Sequence, residues 1–137
     1  MRSQFLPTAL VALGGLIAFW VAPVNAHHSF AAEFDGNKPI TLKGVVTQID
    51  WANPHVWFYI NVKDEEGNTL RWACEMGAPH QLQQRGWLRD TMKVGDVVTV
   101  VGSLSRDGAK RANARTVTTA DGKTLGAASS GDPTTRQ

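Results

Sequence analysis

Apolar and polar side chains alternate through the middle of the chain, a pattern typical of β-strands that bury one face. The clearest case is HVWFYINV, residues 55–62, where every second side chain is apolar. The predicted core face carries Val56, Phe58, Ile60 and Val62, and the opposite face carries His55, Trp57, Tyr59 and Asn61. LRWACEM, residues 70–76, alternates in the same way and places Leu70, Trp72, Cys74 and Met76 on one face.

Three further segments complete a predicted all-β domain with one short helix. Two of them, residues 40–51 and 97–105, are rich in β-branched residues, and each contains an internal glycine, Gly44 or Gly102. Such glycines mark a bulge or a sharp bend. The last strand is NARTVTT, and the helix lies between Pro79 and Gly86. This order predicts a five-stranded OB-fold-like barrel. The alternative is an open meander with a packed helix.

The first 26 residues have the features of an export signal that is removed from the mature protein. Arg2 provides a positive start, residues 6–21 are largely apolar, and Val24-Asn25-Ala26 places small residues where signal peptidase requires them. We therefore expect cleavage after Ala26, a periplasmic protein that begins at His27, and no membrane span after cleavage. The alternative is an uncleaved membrane anchor.

The predicted organisation has four parts: signal peptide 1–26, N-terminal arm 27–39, barrel domain 40–120 and disordered tail 121–137. In the arm we expect no regular secondary structure, but its residues Phe30 and Phe34 should dock on the barrel. The tail consists mainly of Gly, Ser, Ala, Thr and Asp, which supply too little apolar surface to order a segment.

Charge and cysteine content exclude several classes of protein. The chain has 14 Lys and Arg against 12 Asp and Glu. Of these charged residues, cleavage after Ala26 removes only Arg2. A nearly neutral mature chain does not indicate a nucleic-acid partner. Cys74 is the only cysteine, so no internal disulfide can form, and its apolar neighbours indicate a buried, unreactive thiol. No HExxH, GxSxG or phosphate-binding glycine motif is present, and we predict no catalytic residues.

Four stretches carry a family resemblance: HHSFAAEFD, GVVTQIDWANPHVWFYINV, EMGAPHQLQQRGW and VGDVVTVVGSLSRDG. They resemble a bacterial family of small exported proteins of unknown function, with a His-His-Ser-Phe mature N-terminus and an Asn-Pro-His motif. The resemblance covers most of the mature chain. It implies the compartment and the overall pattern, and it implies no reaction.

Two of the four histidines, His27 and His28, lie directly after the predicted cleavage site. The α-amine and ring Nδ1 of a mature N-terminal His27 can chelate one metal ion, and a distant imidazole would complete a three-nitrogen set of the kind that favours copper. His55, stiffly supported by the preceding proline, is the candidate third ligand. A chelate made by the amine with the amide and ring of His28 is the alternative. Incidental histidines that bind no metal remain the simpler interpretation.

A second candidate site is the outer face of the second and third strands. The predicted ligand-face residues are Trp57, Tyr59, Arg71 and Glu75. This face is the usual ligand platform of OB barrels, and the two aromatic rings could stack on a ligand. Alternatively, the protein's own N-terminal arm covers the face, and the arm would then bring His27 and His28 toward His55.

Three function classes follow from these sites. The leading prediction is a non-enzymatic, exported cell-envelope binding protein of unknown ligand, for which copper bound through the mature N-terminal histidine is one candidate. The alternative is a protein–protein interaction module that uses its outer aromatic face and binds no metal. A copper-dependent redox enzyme is the third class. The expected partner is an unknown small molecule, a metal or an envelope protein, with no nucleic acid involved.

Overall fold

The computed structural model of the protein describes residues 29–129, 131 and 132. These residues form two short helices and six strands. In chain order they are α1 (Ser29–Glu33), β1 (Phe34–Asp50), β2 (Trp57–Lys63), β3 (Thr69–Glu75), α2 (Pro79–Gln84), β4 (Val97–Ser105), β5 (Arg111–Thr118) and β6 (Thr124–Gly126).

Five of the strands pair into a closed ring. Strand β1 pairs antiparallel with both β2 and β4, β2 pairs with β3, and β4 pairs with β5. A short parallel pairing between β3 and β5 closes the ring. The described chain is mostly β, with α2 between β3 and β4, and the predicted fold class is confirmed. Strand β6 was not predicted, and it pairs with the end of β5 that lies beyond the residues paired with β3.

The core lies on the face that the alternating pattern predicts. Val56, Phe58 and Ile60 are fully buried, as are Cys74 and Met76. Trp72 is partly buried and packs against the same cluster. Burying one such side chain stabilises the fold by about 1.5–3 kcal/mol, so this face fixes which side of β2 and β3 turns outward.

The two strand glycines lie where neighbouring backbones come close. A Cβ atom at Gly44 would lie 2.5 Å from the backbone oxygen of Asn61, and one at Gly102 would lie 2.0 Å from that of Asn113. The register of β4 with β5 also shifts between Val101 and Gly102. Glycine is therefore required at both positions for the strands to pair.

The N-terminal arm differs from its prediction as an irregular segment. Helix α1 occupies Ser29–Glu33, and β1 begins at Phe34 rather than near residue 40. Both phenylalanines are buried, as expected, with ring centroids 5.9 Å apart. Strand β1 is extended because Phe34 and Asp35 pair with Ser105 and Leu104 at the end of β4, across an irregularity before Pro39.

The prediction of a disordered tail from residue 121 is wrong for the part of the tail that the structure describes. Strand β6 pairs with β5, and Leu125, Ala127 and Ala128 are buried. Backbone hydrogen bonds join Gly77 to Ala127 and Ala127 to Arg115, both 2.8 Å long. The few apolar residues of the tail are enough because they fill space beside strands that are already formed.

Candidate functional site

His55 lies beside Glu75 at the end of β3. Backbone hydrogen bonds from Met76 to Val56 and from Val56 to Gly77 hold the chain before β2 against the chain after β3. This arrangement brings the Nδ1 atom of His55 into hydrogen-bond contact with Oε1 of Glu75. The imidazole is 23% exposed and the carboxylate only 7%, so the pair lies at the boundary between protein and solvent.

The carboxylates around His55 favour the charged form of its ring. The pKa of His55 is raised above its ordinary value of 6.5, mainly because Glu75 accepts its hydrogen bond, while partial burial acts in the opposite direction. The charges of Glu75 and of Glu33 add to the rise in pKa. Glu33, the last residue of α1, is therefore one of the two carboxylates that favour the charged imidazole.

Glu75 belongs to a row of buried polar side chains, which we call the polar row: Glu75, Asn113 and Ser103. Glu75 is in register with Asn113, and Asn113 with Ser103, so the three lie side by side on the outer face of β3, β5 and β4. They are 5%, 1% and 1% exposed. Oδ1 of Asn113 and Oγ of Ser103 have no hydrogen-bond partner among the described residues.

The chain after β6, residues 127–129 and 131–132, covers part of the polar row, and we call it the C-terminal segment. Nδ2 of Asn113 donates a hydrogen bond to Oγ of Ser129 over 3.1 Å. A Cβ atom at Gly131 would lie 2.7 Å from Cβ of Phe30, which shows that α1 packs directly on this segment. The outer face at Asn113 is therefore covered by the protein itself.

Helix α1 is held on its other side by the loop between β4 and β5. The backbone N–H of Arg106 donates to the carbonyl of Glu33 over 2.9 Å, and its Nε donates to the carbonyl of Ala31 over 2.8 Å. Arg111 lies 3.9 Å from the carboxylate of Glu33. These contacts anchor α1 on the β4–β5 loop and the start of β5.

The predicted ligand face is divided into an open and a covered part. Trp57 and Tyr59 are partly exposed, and the guanidinium of Arg71 lies 4.6 Å from the centre of the Tyr59 ring while it donates to Gln48. Glu75 shares their face through its register with Trp57 but is buried. Its carboxylate contacts His55 and is not part of the partly exposed surface formed by Trp57 and Tyr59.

The predicted metal ligands are only partly represented in the structure. His55 lies at the surface as described, whereas His27 and His28 lie outside the described residues. Within the described ranges, no group of three or more His, Cys, Asp or Glu side chains could hold a metal ion.

The sequence pattern did not identify several residues around His55. Glu33 lies in a segment without a clear pattern, and Asn113 and Ser103 look like ordinary solvent-facing strand positions. A polar residue flanked by two alanines, as in Ala112-Asn113-Ala114, was the available signal, because small neighbours allow close packing over a strand. Only the pairing of β3 with β5 brings Asn113 beside Glu75.

A model of a family of unknown function, DUF6152, matches residues 16–114 of the chain. No curated protein matches it. Of the helices in the described residues, neither has the length and apolar character to cross a membrane.

Proposed function

Because the chain belongs to the family of unknown function DUF6152, we propose a function from the site itself: an exported cell-envelope protein that binds copper. In this proposal, signal cleavage after Ala26 leaves His27 as the first residue of a periplasmic protein. The α-amine and Nδ1 of His27 form a chelate, and the ring of His55 supplies a third nitrogen. No catalytic step is part of the proposal.

The proposal is supported by the electrostatic influence of α1 on His55. The charge of Glu33, at the end of the helix, acts on the His55 ring. Helix α1 has five residues, so its two ends are about 6 Å apart at 1.5 Å per residue. His28 and His27 directly precede the helix and add at most about 7 Å of chain. This length allows the mature N-terminus to lie close to His55.

The chemistry of the three donors suits copper. Two imidazole nitrogens and an amine are borderline ligands that Cu(II) binds more tightly than other divalent first-row metals. An α-amine titrates at about 7.7–8.0 and an imidazole at about 6.5, so all three nitrogens lose their protons at modest cost near neutral pH. Copper affinity should therefore fall as the pH drops through this range, because protons compete for the same lone pairs.

Copper titration of the correctly processed protein tests the proposal. Adding one alanine before His27 moves the amine away from the imidazole, and we expect copper affinity to fall more than about tenfold, or about 1.4 kcal/mol. His55→Ala should weaken binding less, since the amine–imidazole chelate of His27 survives. His80→Ala is the matched control because His80 is exposed on α2, and it should leave the affinity unchanged.

Equal copper affinity of the extended and the processed protein would show that the N-terminal site is wrong. If the His27→Ala variant kept full copper affinity and the His28→Ala variant lost it, the chelate would be the alternative one formed by His28. The same copper titration detects both results, and electron paramagnetic resonance of Cu(II) counts the nitrogen ligands.

The second candidate function is a protein–protein interaction module without metal. The observation that favours it is the partial exposure of Trp57 and Tyr59 on one face, since aromatic residues are enriched at interfaces. Against it, Arg71 already lies over the Tyr59 ring. Under this candidate, Trp57→Ala would abolish binding to an envelope partner, and the extension before His27 would change nothing.

A further inference from the structure

We propose that Glu75 is a positioning residue that holds the His55 imidazole with its proton on Nδ1, so that Nε2 is the nitrogen presented to a metal. The inference deepens the proposed function and rests on it for the identity of the metal. Glu75 itself would not be a ligand. Its role would be to choose which nitrogen of His55 can bind and to fix the direction of the ring.

The geometry that carries this inference is the contact of Nδ1 with Oε1 of Glu75. A carboxylate accepts hydrogen bonds and cannot donate, so the ring nitrogen that meets it must carry the proton. In a neutral imidazole the other nitrogen, Nε2, then holds the lone pair. Metal-binding histidines in proteins commonly have such a carboxylate on their second nitrogen, which fixes the tautomer and the ring orientation.

Glu75 is buried although its side chain carries a carboxylate, and burying a carboxylate is costly. Its carboxylate is 7% exposed and lies between Trp57 and Asn113 on the outer face. A carboxylate that leaves water loses several kcal/mol of solvation unless it is paired and hydrogen-bonded. An apolar residue would fill this position at lower cost, so the carboxylate is best explained by its contact with His55.

The fold holds the pair rigidly. Glu75 ends β3, whose parallel pairing with β5 places Asn113 beside it. His55 is fixed through the hydrogen bonds that join Val56 to Met76 and Gly77. The backbones of both residues are therefore held in place, and the contact with Oε1 of Glu75 orients the imidazole.

The tautomer of His55 can be measured without any metal. Two-bond ¹H–¹⁵N correlation spectra of the wild-type protein, recorded at a pH where the ring is neutral, should show a protonated Nδ1 and an unprotonated Nε2. Glu75→Leu removes the acceptor with little change in volume, and the proton should redistribute toward Nε2. Glu33→Gln is the control, since it removes a nearby charge without touching the ring, and it should leave the tautomer unchanged.

Measuring copper affinity then separates a positioning role of Glu75 from a contribution to stability alone. Glu75→Leu should lower copper affinity by at most as much as His55→Ala does, because it acts only through the His55 ring, while urea unfolding shows that the variant is folded. A wild-type Nε2–H tautomer, or undiminished copper affinity in a folded Glu75→Leu protein, would overturn the positioning role. Absence of copper binding by the processed wild type, with the Nδ1–H tautomer intact, would instead overturn the proposed function.

Discussion

At the scale of single residues, His55 differs from the other described histidine, His80, in having a carboxylate partner. Glu75 is in contact with its Nδ1 atom, and Glu33 adds a second negative charge nearby. His80, at the start of α2, is exposed. The difference in environment makes His55 the described imidazole that is suited to a defined role.

The raised pKa of His55 has a consequence for stability with a definite sign. A group whose pKa is higher in the folded state stabilises the fold below its unfolded value, here 6.5, and loses this contribution as the pH rises through the folded pKa. The free energy of unfolding of wild type relative to His55→Gln should therefore be larger at about pH 6 than at about pH 8. Urea unfolding at both pH values measures it, and a constant difference would contradict the pairing.

Cys74 should be unreactive in the folded protein. Burial raises the pKa of its thiol to about 12, so almost no thiolate is present at neutral pH, and the side chain is fully buried. Thiolate is the reactive form. A thiol reagent should label Cys74 in urea and not in buffer. Equal labelling rates under the two conditions would show that the core around β3 opens readily.

At the scale of elements, α1 and the C-terminal segment depend on each other. Phe30 of the helix packs on Gly131, and the C-terminal segment is fixed by Ser129 on Asn113 and by Asp132, which lies 3.6 Å from Arg115. Neither segment is long enough to be stable by itself in water. Their mutual contact is therefore what holds both segments in place.

Gly131→Ala tests this contact. The new Cβ atom would lie 2.7 Å from Cβ of Phe30, so the helix or the segment must move. We expect the free energy of unfolding to fall by about 1–3 kcal/mol. Gly36→Ala is the matched control, because its Cβ would lie at an ordinary 4.0 Å from the same phenylalanine. Urea unfolding of both variants measures the effect, and equal stability of the two would mean that α1 does not rest on Gly131.

At the scale of the whole molecule, the metal proposal depends on where the mature chain begins. The first residues, including His27 and His28, lie outside the described part of the chain. The α-amine can be a ligand only if cleavage leaves His27 first, because any preceding residue turns that nitrogen into an amide. Processing is therefore part of the proposed site.

We predict that the exported protein begins at His27, since Val24-Asn25-Ala26 is the junction that fits signal peptidase. Intact-mass measurement of protein isolated from the cell envelope decides this. Expression without the signal segment, with a leading methionine, serves as the comparison. A mass that includes residues 1–26 would remove the free amine and with it the leading proposal.

Much of the fold and part of the site could be predicted from local pattern. Alternation gave the correct core face for β2 and β3, and it put His55 and Glu75 on the same side. It could not show that Glu75 is buried, because Asn113, which lies beside it in the sheet, is far from it in the sequence. Nor could it show β6, whose three residues have no pattern of their own and are ordered only by pairing with β5.

What the sequence by itself determined is therefore local: the strand faces, the glycines at close backbone approaches, the short helix and the export-like N-terminus. Each depends on neighbouring residues, whose period or small size is visible without a fold. What only the tertiary structure decided is long-range: the β3–β5 closure, the cover over the polar row and the contact of His55 with Glu75. These depend on which distant segments meet, and that is set by the packing of the whole chain.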